Sequence, residues 1–183
     1  MRASRATYGS RHKPDSCIGC LAARRRRAHA STPGPGARVY KYPGERINSD
    51  LAGSFPSSDH GFAHAICFVD RFSHHYAIYF LRGKAHPNVL NAVKTFVRGH
   101  AHLMTDTLKP GVPDVWHCDN ESVFLDKAVD IYAASVGIRR TFSVEEVHET
   151  NPAAERCWGV LRRSVRAMIA HAGGNEQQVR FWP

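Results

Sequence analysis

The sequence predicts an α/β fold with helices packed on a mixed sheet of five strands. Three observations carry this. Three strand-like segments follow one another with short connections between residues 46 and 81, as in an antiparallel meander. Helical and strand-like segments then alternate, giving the order β-β-β-α-β-α-β-α. The last segment, Asn151–His171, has the start signal of a helix written out, with Asn151 fit to cap it and Pro152 at the first helical position.

In chain order, Arg46–Gly53 (RINSDLAG) reads as a strand ending in a glycine turn. Phe62–Asp70 (FAHAICFVD) is a dense apolar run with a polar end, and His75–Leu81 (HYAIYFL) follows a short break. From Pro87 to about His102, Val89, Val93, Phe96 and Val97 keep helical spacing. Pro113–His117 (PDVWH) is a short strand that leads into Cys118 and Asp119. Leu125–Ser135 (LDKAVDIYAAS) reads as a helix with Gly137 as its stop, and Ile138–Ser143 (IRRTFS) as the fifth strand. A polar loop, VEEVHET, precedes the final helix, where Ala154, Trp158, Leu161, Val165 and Met168 form an apolar stripe. Arg156, Arg162, Arg163 and Arg166 lie largely off that stripe. A solvated basic face and a phosphate-binding face are both consistent with them.

The chain has 183 residues and a formal net charge of +9. Residues 1–49 hold 11 Lys and Arg against Asp15 and Glu45, so the whole excess sits in this arm. Residues 50–183 are balanced. A basic arm on a neutral domain suggests a polyanionic partner, most often nucleic acid, and Arg24, Arg25, Arg26 and Arg27 are its centre. A nuclear-import signal or a solubilising tail would look the same. Ser31–Gly36 (STPGPG) cannot be helix or central strand, so residues 1–44 read as a poorly structured arm and 45–172 as the folded core. Cys17 and Cys20 have the spacing of half a zinc site, with no standard partner pair nearby, and zinc is not expected to bind. Five cysteines without a framework, no apolar signal segment and no apolar run of membrane length point to an intracellular protein, nuclear or cytoplasmic.

Three acids stand out by placement. Asp50 lies in the first strand, Asp119 ends the fourth and Glu155 opens the last helix. Brought together they would repel and raise one another's pKa unless a cation bound them, and Mg²⁺ or Mn²⁺ is the oxygen-preferring choice. Two such ions can promote substitution at phosphorus. Asp70 also ends a strand and competes for a place.

These residues resemble the integrase core of retrotransposons, most closely the copia type. Cys17-Ile-Gly-Cys20 with the basic run resembles the end of the zinc region that precedes that core. Gly44–Gly53 resembles its first catalytic-Asp segment, and Phe68–Lys84 its second and third strands. His117-Cys118-Asp119-Asn120 resembles the second catalytic-Asp segment, and Asn151–Met168 the catalytic-Glu helix. The 35 residues between Asp119 and Glu155 match the family spacing. Phe181-Trp182-Pro183 resembles the start of the segment C-terminal to the core.

The resemblance implies an RNase H-like fold with strand order 3-2-1-4-5 and helices on both faces. It also implies Asp50, Asp119 and Glu155 as ligands of a two-metal site, and 3′-end processing followed by DNA strand transfer. The partners would be element ends and target DNA, the assembly a homo-oligomer, and residues 173–183 the beginning of a truncated segment of a polyprotein. The chain departs from the family pattern at Glu121, where glycine is usual, at Val123, where glutamate is usual, and at Pro152, where glycine is usual. A catalytically decayed, nucleic-acid-binding remnant of the same fold is the alternative, and an unrelated DNA-binding module built on the arm is a third.

Overall fold

A central strand, β1 (Ile47–Ala52), organises the chain. It pairs antiparallel with β2 (His64–Asp70), which pairs antiparallel with β3 (Tyr76–Leu81). On its other side β1 runs parallel to β4 (Val115–Cys118), and β4 parallel to β5 (Arg139–Phe142). The sheet order is 3-2-1-4-5, as expected. In this computed structural model residues 38–143 and 151–171 are described, with Pro152 and His171 described by their backbone only. Cys17, Cys20, Arg24–Arg27, the VEEVHET loop and residues 173–183 lie outside them.

The three helices are α1 (His86–His100), α2 (Lys127–Val136) and α3 (Pro152–His171). A short 3-10 turn, Ala101–Leu103, follows α1. Helix α1 buries Val89, Ala92, Val93, Phe96 and Val97, the stripe that its periodicity predicts. Helix α2 begins two residues later than the sequence suggested. Asp126 accepts from the Ala128 N–H there and caps it, while Leu125 stays half-exposed outside the helix. Gly137 closes α2 in the left-handed region (φ 91°), donating to Ala133 O, as its stop signal requires.

Alternation along the strands divides the molecule into two layers. Ile47 and Leu51 of β1, Ile66 and Phe68 of β2, and Trp116 and Cys118 of β4 face α1 and α2 in the larger core. There Phe96 stacks on Phe68 (4.5 Å between centroids), and the Trp116 indole donates to Ser49 Oγ at 2.7 Å. The opposite face carries Ala52, Ala65, Cys67 and Val69, against Ala153, Ala154, Cys157 and Trp158 of α3. β2 is covered on both faces, which is why its sequence is almost continuously apolar.

Two expectations for α3 are corrected. The Asn151 side chain does not spend itself on the helix's first turn. Its Nδ2 donates to Ser49 O (2.8 Å) and its Oδ1 accepts from Asn48 Nδ2 (2.9 Å), both on β1. Two buried asparagines satisfying one another across elements outcompete a local cap. The apolar stripe is also shorter than its periodicity suggests. Ala154 and Trp158 are buried and Leu161 and Val165 half-buried, but Met168 is 70% exposed. The helix outruns the sheet beneath it, so apolar periodicity continues where there is nothing left to cover.

Candidate active site

The fourth strand places Asp119 beside Asp50. Asn48 is level with His117 in the parallel β1–β4 pair. Asp50 and Asp119 each lie two residues further on, Asp50 inside β1 and Asp119 just past the end of β4, so the same register carried two residues onward leaves them level. Alternation puts both on the α3 face, because their neighbours Leu51 and Cys118 point into the other core. Burial pushes the Asp50 carboxyl up to about 6, and the negative charge of Asp119, then that of Glu121, adds to it. The Leu51 backbone N–H acts in the opposite sense. So does the indole of Trp158, although its buried Nε1 reaches no acceptor with good hydrogen-bond geometry. The indole is thus a polar neighbour of Asp50 without a well-formed hydrogen bond to it.

Each carboxylate is positioned by its surroundings. Asp119 Oδ1 accepts from Ser143 Oγ at 2.9 Å, while Ser143 N donates to Cys118 O and Asn120 Nδ2 to Ser143 O. These bonds tie the end of β4 to the end of β5 and fix the Asp119 rotamer. Glu121 pairs with Lys84 Nζ at 3.3 Å, both side chains about 40% exposed, so its charge is partly balanced from the turn after β3. Nothing in the local sequence signals this pair, which joins residues 37 positions apart. Asp70, the competing acid, is elsewhere. It is buried and accepts from Gly44 N, Ser73 N and Ser73 Oγ, holding the turn after β2.

Glu155 sits in the first turn of α3, exposed to solvent. The Asn151 clamp to Asn48 and Ser49 anchors that turn on β1 immediately before Asp50. The charge of Asp119 acts on Asp50, but among the described residues no group of three His, Cys, Asp or Glu side chains is close enough to hold a metal ion, so Asp50, Asp119 and Glu155 do not form a closed three-carboxylate cluster. A divalent cation nevertheless fits the pair chemically. Two level carboxylates, one with its proton affinity raised by burial and like charge, are a donor set for a hard cation. Arg156, Arg162, Arg163 and Arg166 are all exposed on α3, as the sequence suggested.

The sign of the pH dependence follows from Asp50. In the metal-free protein it binds its proton more tightly folded than unfolded. That stabilising difference is complete below its ordinary 3.8 and is lost as pH rises to about 6. Asp50→Asn is expected to abolish this slope and to leave the protein more stable at neutral pH by about 2–3 kcal/mol. Urea unfolding in EDTA across the acidic to neutral range checks it; an unchanged slope would show that Asp50 titrates normally.

No protein-family model matches the chain, and no curated protein matches it. Solved structures do. The HTLV-2 integrase catalytic core domain in complex with magnesium (trimeric form) is similar at 14% identity, with TM-score 0.54, covering 78% of this chain and 82% of that one. A chain of the simian T-cell lymphotropic virus intasome, in complex with the PP2A regulatory subunit B56 gamma, is similar at 15% identity, with TM-score 0.55 and 80% of this chain covered. The match spans 57% of that longer chain. At such identity the likeness is one of fold. The chain thus has the RNase H-like fold of the retroviral integrase catalytic cores, with the Asp50–Asp119 pair on the face that α3 covers.

Proposed function

We propose that this chain is the catalytic core of a retrotransposon integrase of the copia type, part of a longer polyprotein. It would process element 3′ ends and transfer them to target DNA, inside the cell, in the nucleus or the cytoplasm. The observation that carries this reading is the Asp50–Asp119 pair, one inside the central strand and one just past the end of its parallel neighbour, in an integrase-core fold. Asp50 and Asp119 would hold Mg²⁺ or Mn²⁺, and Glu155 would complete the set by moving toward the pair when metal and DNA bind. The metal would neutralise charge on the phosphodiester and favour substitution at phosphorus. The protein's own part is positioning. Ser143 orients Asp119, Lys84 moderates Glu121, and the Asn151 clamp sets where the start of α3 meets the strand that carries Asp50. The exposed arginines of α3 would bear on DNA phosphates. Higher assembly, as in the trimeric and intasome relatives, is part of the proposal.

Strand transfer of a labelled element-end duplex into plasmid DNA, with Mg²⁺ or Mn²⁺ and with EDTA as control, tests it. A folded, DNA-binding protein inactive with both metals would favour the second reading, a nucleic-acid-binding remnant. What favours that reading is the absence of a three-carboxylate cluster among the described residues. The arm has its own test. Replacing Arg24, Arg25, Arg26 and Arg27 with alanine should lower the slope of log affinity against log salt by roughly 3–4. An unchanged slope would place the electrostatic contact elsewhere.

A further inference from the structure

A groove of about 230 Å³ opens between the turn after β2 and the first half of α3. Its walls include Val69, Arg71, His74, Tyr76, Arg156 and Val160. It lies on the same face of the sheet as Asp50. Cys67 is the register partner of Asp50, and Val69 is two residues further along β2, about 7 Å away. The groove is smaller than the ~300 Å³ typical of sites that enclose a whole ligand. It suits one unit of a longer molecule.

Its chemistry has two halves. Val69 and Val160, with the half-exposed ring of Tyr76, offer an apolar surface. Arg71, Arg156 and His74 offer cationic or protonatable groups. Arg71 lies 5.3 Å from the Tyr40 ring centre, its Nε is buried without a hydrogen-bond partner, and neither it nor Arg156 has a carboxylate partner among the described residues. Behind it, Arg38, Arg46 and Arg139 add like charge close by, of which Glu45 pairs only with Arg38. A concentration of positive charge with buried, unused donor capacity is costly unless an anion covers it. The groups are also fixed in advance. Asp70 holds the turn through Ser73, Arg71 N donates to Arg46 O at 3.0 Å, and His74, at φ 59°, is held in the left-handed region by its N–H on Asp70 O.

Resting on the DNA substrate proposed above, we propose that this groove seats one unpaired nucleotide next to the reacting phosphodiester, its phosphate on Arg71 and Arg156 and its base against Tyr76 and Val160. Guanidinium groups match phosphate geometry, and an aromatic face beside an apolar wall accepts any base once it is unstacked. A base-paired nucleotide could not present its face in this way.

Photo-crosslinking tests the proposal on the full chain in EDTA, where no chemistry is required. The probe is an element-end duplex with a short single-stranded overhang, carrying 4-thiothymidine at one position at a time. Peptide mass spectrometry should locate an adduct on Tyr76 or its β3 neighbours from one or two adjacent positions. Arg156→Glu, an exposed change, should lower that adduct roughly tenfold, and Arg71→Gln similarly. Overall affinity should change less than about threefold, since the arm dominates it. Should Arg71→Gln fail to fold, Arg156→Glu decides alone. Adducts found only elsewhere, or undiminished in Arg156→Glu, would overturn the groove assignment. Strand transfer in the same preparation separates the two readings: transfer without the adduct removes the groove alone, and an Arg156-dependent adduct without transfer leaves the groove and removes the catalytic reading.

Discussion

Glu155→Gln is expected to abolish strand transfer, by at least about 10²-fold, while leaving the fold and DNA binding intact. Glutamine is nearly isosteric, but a neutral amide is a poor ligand for Mg²⁺. Because Glu155 is exposed, the change should alter stability by less than about 0.5 kcal/mol, so lost activity could not be blamed on unfolding. Asp119→Asn should have the same effect on transfer and should also lower the Asp50 pKa, by removing the like charge beside it. The decisive comparison is wild type against Glu155→Gln in one assay. If wild type transfers strands and the variant matches it, Glu155 is not a ligand and the triad reduces to the two aspartates. If wild type is inactive, Glu121 is the residue to change. It stands where the resembling family has glycine, and its charge reaches Asp50. Glu121→Gly would remove that charge and free Lys84.

Trp158→Ala should destabilise the protein by roughly 3–5 kcal/mol, measured by urea unfolding. Trp158 is 5% exposed and is the one large side chain among the buried members of its core, the others being Ala, Cys and Val, with Phe55, Ile78, Phe80 and Leu161 packed at the edge. Small residues on β2 and α3 bring helix and sheet close together, so little is left to refill the space once the indole is gone. Trp158→Phe should cost much less, about 1–1.5 kcal/mol, because the indole N–H it removes has no well-formed hydrogen bond. That variant should raise the Asp50 pKa further, since the polar contact favouring the carboxylate is lost. A Trp158→Ala cost below about 1 kcal/mol would mean that α3 is not held on the sheet by this residue.

The sequence by itself determined the elements and their order. Period-two and period-3.6 apolar patterns, Pro87, Gly137 and Pro152 are local signals, and local backbone preferences and burial of one face are what they encode. The strand order came from the resemblance and is the order observed; the approach of Asp50 to Asp119 was suggested by their placement on the first and fourth strands, which lie side by side. Tertiary structure alone decided the rest, because each case depends on a partner distant in sequence. Asp70 and Asp119 both end strands, yet one is consumed by a turn and the other lies beside Asp50. Asn151 has the composition of a cap, yet a buried asparagine 103 residues away claims its side chain. Met168 keeps the helical period but has no sheet beneath it. The groove at Arg71 and Arg156 unites a turn and a helix that no spacing rule connects. Chain patterns report what a residue prefers; which acceptor, charge or surface lies opposite is settled only when the elements pack.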